Sequence, residues 1–570
     1  MHVARIERNY KGKLYVTSLL RHSFREDGHV KHKTLANLSH LPDRLVDIVR
    51  RSLKGEDFVS LTERFRITRS LPHGHVEAVL GCMRQLGIDT LLGAKPSRSR
   101  DLVMAMIAER ILFPSSKLAS TRHWHSTTLA EELHVDDADV DELYAAMDWL
   151  LESQAAIESK LAQRHLAEGA LVLYDVSSSF YEGKTCPLAR YGHDRDGKKN
   201  LPIIVYGLLT DSVGRPVAIE AYPGNTGDPK TVPDQVDKLR GRFGLERVVL
   251  VGDRGMLTET QIGVLRQHPG LGWISALRSQ SIAALLADGH LQRSLFDEVN
   301  LAEIKAPEFP GERLIACYNP LLAEQRRHKR EELLAQTEKK LRGLAEQVRR
   351  RTHKLLSQTS IALKVGKFIN RWKMAKHFLL TIADGVFNWE RHQGSISQEE
   401  QLDGIYVIRT SEPKRRSSAA DSIRGYKRLA QVERAFRTFK GVDLLVRPIF
   451  HHVEARVRAH LFLCMLAYYV QWHMRAALAP LLFVDEELKE NTAARDPVAK
   501  TEPSASVKAK KHKRHNAGFP VHSFRTLLAE LGSRCRNTCM VTATEPEATF
   551  TQVTDPTPLQ AEVFRLLNLS

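Results

Sequence analysis

At residue 170 the hydrophobic pattern changes period, and this change limits the possible fold more than any other feature. Residues 170–174 form a short apolar run that stops at Asp175. Residues 203–209 form a second run, closed by the turn Asp211-Ser212-Val213-Gly214, and residues 216–221 a third. An amphipathic helix follows at 231–243, with Val232, Val236, Leu239 and Phe243 on one side. A fourth strand at 247–251 ends in Gly252-Asp253-Arg254-Gly255; a helix at 258–267 and a fifth strand at 273–277 complete the series. Three successive strands followed by alternating helices and strands predict a mixed α/β sheet with helices packed on it.

The remainder of the 570 residues is too long for one ordinary domain. Residues 1–65 alternate apolar and polar positions around the turn Lys11-Gly12 and read as a small β-rich unit. Residues 70–169 carry helical periodicity (Val79, Met83, Leu86; Leu102, Met106, Ile107, Ile111) and are expected to be a DNA-binding or docking domain. Residues 170–480 hold the sheet, interrupted by an insertion at about 278–402. In the insertion Leu334, Leu341, Val348 and Leu355 repeat every seven residues, but Thr337 and Arg351 spoil the second seam, which argues for a helical arm rather than a coiled coil. Residues 423–440 read as one helix and 456–477 as a buried one. Residues 486–570 are expected to be a basic disordered loop and C-terminal tail, with one helix near 522–531.

Composition excludes several classes. At 42% hydrophobic and 26% charged residues the chain is that of a globular protein. Its longest nearly apolar run, 461–470, is far shorter than the roughly 18 residues of a membrane span, and the start lacks a secretion signal, so a cytoplasmic protein is expected. Six cysteines are too few for a disulfide framework, and Cys535 with Cys539 lacks the second pair a zinc site needs.

The net charge of +17 points to a polyanionic partner, and its location sharpens the inference. Residues 326–376 contain sixteen Lys/Arg against four Glu, residues 414–440 nine against two acids, and Lys508, Lys510, Lys511, Lys513 and Arg514 form a third tract. One such cluster would pass for a solvated helix face; three favour nucleic acid.

Asp175 and Asp253 each close a buried-looking strand. One such Asp is usually a turn former, but two from one sheet in a basic protein can hold Mg²⁺, which prefers oxygen ligands. Glu433 is the candidate third acid; alternatively it pairs with Arg437 one helical turn on.

The blocks Leu173-Tyr174-Asp175-Val176, Val251-Gly252-Asp253-Arg254-Gly255, and Tyr426, Glu433 and Lys440 on one helix, in this order, resemble the DDE-type insertion-sequence transposases. More narrowly the chain is similar to the insertion-sequence-four-like branch, marked by Tyr-x2-Arg-x3-Glu-x6-Lys. Tyr318-Asn319-Pro320 before a basic helix, Arg447 to His452, and Ala459-His460-Leu461 extend the likeness. It departs at Leu429, where the signature has Arg; Arg428 is adjacent.

The resemblance implies an RNase H-like core whose acids Asp175, Asp253 and Glu433 bind two Mg²⁺ ions, replaceable by Mn²⁺. It implies cut-and-paste transposition: binding of double-stranded DNA at terminal inverted repeats, cleavage, and joining of the freed 3′ ends to target DNA, by a homodimer assembled on DNA in the bacterial cytoplasm. Tyr426 and Lys440 would hold backbone phosphate. Arg254 would contact DNA or pair with an acid. Arg437 and, on the 326–376 arm, Lys339, Lys340, Arg349 and Arg350 are further DNA-binding candidates. Trp273, Trp372 and Trp389 could hold a flipped base but are expected to pack in the core.

Two other readings stay open. A transposase-derived DNA-binding protein without catalysis would share the charge pattern. A metal-dependent phosphatase of the haloacid-dehalogenase type needs a second Asp two residues after the first, where this chain has Ser177.

Overall fold

The computed structural model describes residues 1–56, 58, 65–198, 200–351, 355–487, 495–500, 502–541 and 548–569. The chain divides into two compact units. The first comprises Met1–Leu71 and Cys535–Asp555. In it β1 (His2–Tyr10), β2 (Lys13–Glu26) and β3 (His29–Asn37) form an antiparallel meander beside α1 (Asp43–Ser52). Both hairpins turn on two residues with positive φ, Lys11-Gly12 (53° and 78°) and Asp27-Gly28 (49° and 78°). That conformation matches the strand twist and favours Gly at the second position. Strands make up most of this unit, which extends past residue 65. β4 (Phe65–Pro72) pairs in a second three-stranded sheet with strands Cys535–Val541 and Ala548–Val553 from the far end of the chain.

The second unit comprises Pro72–Arg534 and Pro556–Ser570. Its helices α2 (Gly74–Gln85), α3 (Arg98–Leu112), α4 (Val140–Glu152) and α5 (Gln154–His165) occupy the segment expected to be a docking domain. α3 is buried on every side from Leu102 to Leu112, and these helices share one hydrophobic core with the sheet. A helix apolar all round belongs inside a core.

The sheet has eight strands. β5 (Ala170–Phe180), β6 (Ile203–Thr210) and β7 (Pro216–Pro223) are antiparallel neighbours. β8 (Val248–Val251) runs parallel to β5, and across the helix α6 (Glu259–Arg266) β9 (Leu271–Ala276) runs parallel to β8. The five runs read from the sequence thus stand in the order β7-β6-β5-β8-β9. The insertion adds β10 (Leu301–Ile304) and β11 (Arg313–Tyr318), then leaves the sheet as the 30-residue helix α7 (Pro320–Arg349). Asn319 caps α7 by accepting the Leu322 amide at 3.0 Å. The hairpin β12 (Phe378–Ala383) and β13 (Val386–Arg391) follows, and β14 (Ile405–Thr410) returns between β11 and β9.

Leu334, Leu341, Leu344 and Val348 of α7 pack in a small separate core with Phe378 and Phe387. Leu355, the last member of the heptad, is exposed, so the repeat serves a local core. After β14 come α8 (Ala419–Lys427), α9 (Leu429–Lys440) and α10 (Glu454–Ala477), the last buried against β7, α3 and α4. The tail differs from the disordered segment expected. Helices Ala505–Lys513, Phe524–Leu531 and Pro558–Leu566 are formed, and Lys510 is buried, donating to the Ala479 carbonyl at 3.0 Å and pairing with Glu486. Composition misleads here because Val507 and Lys510, the buried side of that helix, are only two of its nine residues. Residues 488–494 and 501 of the segment lie outside the described residues. No described helix is long and apolar enough to cross a membrane.

Burial also stores a pH dependence. His165 and His473 face each other with ring centroids 6.2 Å apart, and both are held down to about 4, first by burial. His451 is held down to about 3 by burial beside Lys117 and Arg110. These rings stay neutral in the fold but take up protons in the unfolded chain below about pH 6.5. The stability these rings contribute is therefore complete above that pH and is lost as pH drops from 6.5 towards 4. Thermal unfolding scanned over that window should show a falling midpoint, with a shallower fall in His473→Gln.

Candidate active site

β5 and β8 pair in parallel with Leu173 opposite Val251. Asp175 lies two residues beyond Leu173 within β5, and Asp253 two residues beyond Val251, where β8 ends, so the register brings the two to the same end of the strand pair. β5 does not end at Asp175, as its sequence suggests; it runs on to Phe180 through buried Ser177, Ser178 and Ser179. The continuing ladder with β6 leaves no turn after Asp175, and this removes the loop that a haloacid-dehalogenase site requires.

The Asp175 carboxylate accepts the Val176 amide at 2.8 Å. Asp253 Oδ1 accepts the amides of Gly255 and Met256 at 3.0 and 2.7 Å, an arrangement that fixes the turn and the carboxylate together. The third acid comes from α9. Its buried residues Leu429, Val432, Ala435, Phe436 and Phe439 pack on β5 and β6, with Phe436 edge-on to Tyr206 at 5.8 Å. Glu433 lies on the exposed side of α9. Among the described residues it has no ion-pair partner, and the alternative pairing with Arg437 is not formed.

The acids feel one another. The Asp175 carboxyl is pushed up to about 7, first by burial and then by the negative charges of Asp253 and Glu433, against the opposing Val176 amide and Arg195. Tyr426, the last residue but one of α8, is pushed up to about 12 by burial and by Asp253, Glu433 and Asp175. It therefore keeps its proton at neutral pH and offers a hydroxyl donor among three acids. Among the described residues, no three His, Cys, Asp or Glu side chains close up enough to hold a metal ion. The donor chemistry still suits a hard divalent cation: the set is all oxygen, and the high proton affinity of Asp175 comes first from burial and then from neighbouring carboxylates, both of which a cation would offset.

The helix expected over 423–440 is two helices, α8 and α9, joined at Arg428. This break places Leu429, at the signature's Arg position, in the core with 8% of its surface exposed, and turns Arg428 to solvent. Arg437 and Arg254 are exposed without an ion pair among the described residues, so Arg254 does not take its acid-pairing alternative. Lys440 is not free: its Nζ lies 2.9 Å from Asp196. On α7, Lys339, Lys340 and Arg349 are exposed, as is Arg350, which lies 3.9 Å from Glu346. Arg330, counted in the basic arm, is instead buried against Asp403 at 2.7 Å. Trp273, Trp372 and Trp389 all pack against hydrophobic clusters. Arg195, whose charge acts on Asp175, and Asp196, which pairs with Lys440, lie in the loop between β5 and β6 and carry no signal in the sequence pattern.

Residues 178–470 match the transposase DDE domain family, a span that contains Asp253 and Glu433 and begins three residues after Asp175. Residues 3–60 match the N-terminal domain of IS1634 family transposases. No curated protein matches. Among solved structures, a piggyBac transposase synaptic complex with hairpin DNA, determined by cryo-EM, matches 78% of this chain and 88% of its own at 10% identity and a TM-score of 0.26. With the DDE match covering more than half of its residues, the chain belongs to the DDE-type insertion-sequence transposases.

Proposed function

We propose that the β5–β9 sheet is an RNase H-like catalytic core that cleaves the ends of the protein's own insertion sequence and joins the freed 3′ ends to target DNA. The observation that carries this reading is the placement of Asp175 and Asp253 on two adjacent parallel strands, beneath the helix that carries Glu433. These three acids would hold divalent ions, two Mg²⁺ with Mn²⁺ able to substitute, and the ions would supply nucleophile activation and charge stabilisation at the leaving oxygen.

The chain's own residues do the rest. Tyr426 remains protonated and can donate to a phosphate oxygen beside the acids. Arg254 and Arg437 add exposed positive charge near them. On α7, Lys339 and Arg350 stand eleven residues apart, about three helical turns, so they share a face over about 17 Å, and Lys340 and Arg349 flank it on either side. Joining two ends calls for two subunits, so a homodimer is expected on DNA. A DNA-binding protein without catalysis is the second reading, and the cleavage assay separates the two.

A supercoiled plasmid carrying the gene with its own flanking DNA should be cut at the element's ends with Mg²⁺, but not with chelator or by Glu433→Gln. Asp175→Ala, Asp253→Ala and Glu433→Ala should each lose cleavage while binding DNA as tightly as wild type. Retained cleavage in any of them would remove that residue from the site. Tight binding without cuts by wild type would favour the non-catalytic reading. Changing Lys339, Lys340, Arg349 and Arg350 together to Gln should lower the slope of log affinity against log salt by about one per lost phosphate contact.

A further inference from the structure

The loop between β5 and β6 sends one carboxylate into the protein. The Asp196 side chain is 2% exposed and lies 2.9 Å from Lys440 Nζ and 2.6 Å from Arg447 Nη1. Its other oxygen accepts the Phe180 amide at 3.3 Å, and its own amide donates to Asp194 at 2.8 Å. Asp196 thus ties together the end of the strand that carries Asp175, the end of the helix that carries Glu433, and the segment after that helix. We propose that Asp196 is a positioning residue that holds Lys440 and Arg447 side by side as a two-cation clamp for the DNA backbone near the scissile phosphate. The proposal rests on the transposase reading above.

Three observations support it. One carboxylate shared by two cations leaves a net positive charge, whereas a pair built only for stability would be neutral. Lys440 is 13% and Arg447 29% exposed, so both still reach solvent. Lys440 stands seven residues after Glu433 on α9, about 10 Å along the axis, or roughly three base-pair rises of a duplex. The loop itself is fixed. A Cβ on Gly192 would fall 1.9 Å from the Gly224 carbonyl, and one on Gly224 would fall 2.0 Å from that of Ile203, so the chain on both sides can approach only as glycine.

The test compares wild type, Asp196→Asn, Lys440→Gln and Asp196→Asn/Lys440→Gln in the full chain. Its readouts are unfolding temperature, affinity for a short fluorescent duplex over a salt series, and cleavage of the flanked plasmid at saturating DNA. Asp196→Asn adds a positive charge, so duplex affinity should hold or rise. Its cleavage rate should nevertheless fall about 10- to 100-fold, because a clamp out of place by about 1 Å costs that much. The double variant should cleave no more slowly than Lys440→Gln. Wild-type cleavage by Asp196→Asn, or losses that multiply in the double variant, would overturn the proposal. If Asp196→Asn does not fold, Asp196→Glu keeps the charge on a longer arm and faces the same criterion. If wild type itself does not cleave, the transposase reading fails separately. The clamp is then judged on binding: Lys440→Gln and Arg447→Gln should each lower the salt slope by about one, and an unchanged slope would overturn it.

Discussion

The parallel pairing of β5 with β8 is the constraint on which the rest of the structure depends. Parallel neighbours cannot be joined by a tight turn, so the chain makes two antiparallel strands and a helical crossover before it returns beside β5. That detour brings Val251 opposite Leu173 and so sets two aspartates at the same level of the sheet. Successive residues of β5 are buried, Val172 to Tyr174 and Val176 to Ser179, so both of its faces are covered. The cover comes from α9 and from the helical segment before residue 170, which is why that segment shares the sheet's core.

The site is electrostatically costly as it stands. Three carboxylates around a partly buried position repel one another, and raising Asp175 to about 7 from the usual carboxylate range corresponds to several kcal/mol of unfavourable interaction for its charged form. The chain offsets this with backbone amides at Asp175 and Asp253 and with cations at the margin. It leaves Glu433 uncompensated. A site arranged in this way gains most from whatever positive charge enters it, and local stability yields to function there.

Much of this was legible in the sequence wherever local pattern and long-range structure agree. The five core strands and the buried helix around 461–470 announce themselves through hydrophobic period, and residue spacing is what proposes Asp175, Asp253 and Glu433 as a set of acids. Features settled by a distant partner were not. Nothing near Lys440 shows that its ammonium is bound to Asp196, because the two are 244 residues apart. The order of 505–513 depends on Lys510 reaching carbonyls at Ala479 and Val484, and no period in a Lys-rich tract reveals that. The length of β5 was also hidden, since Ser177, Ser178 and Ser179 read as loop chemistry yet are buried between neighbouring strands.

The pairing of β4 with Cys535–Val541 bears on how the protein is made. Residues 1–71 of the first unit are synthesised well before residues 535–541, so its second sheet lacks its middle strand until those have been added. The meander β1–β3 can form early from local contacts, whereas β4 must wait through the synthesis of the whole catalytic unit with an unpaired edge. A chain cut short before residue 535 could still build the sheet that carries Asp175 and Asp253, but it could never complete the unit with which it began.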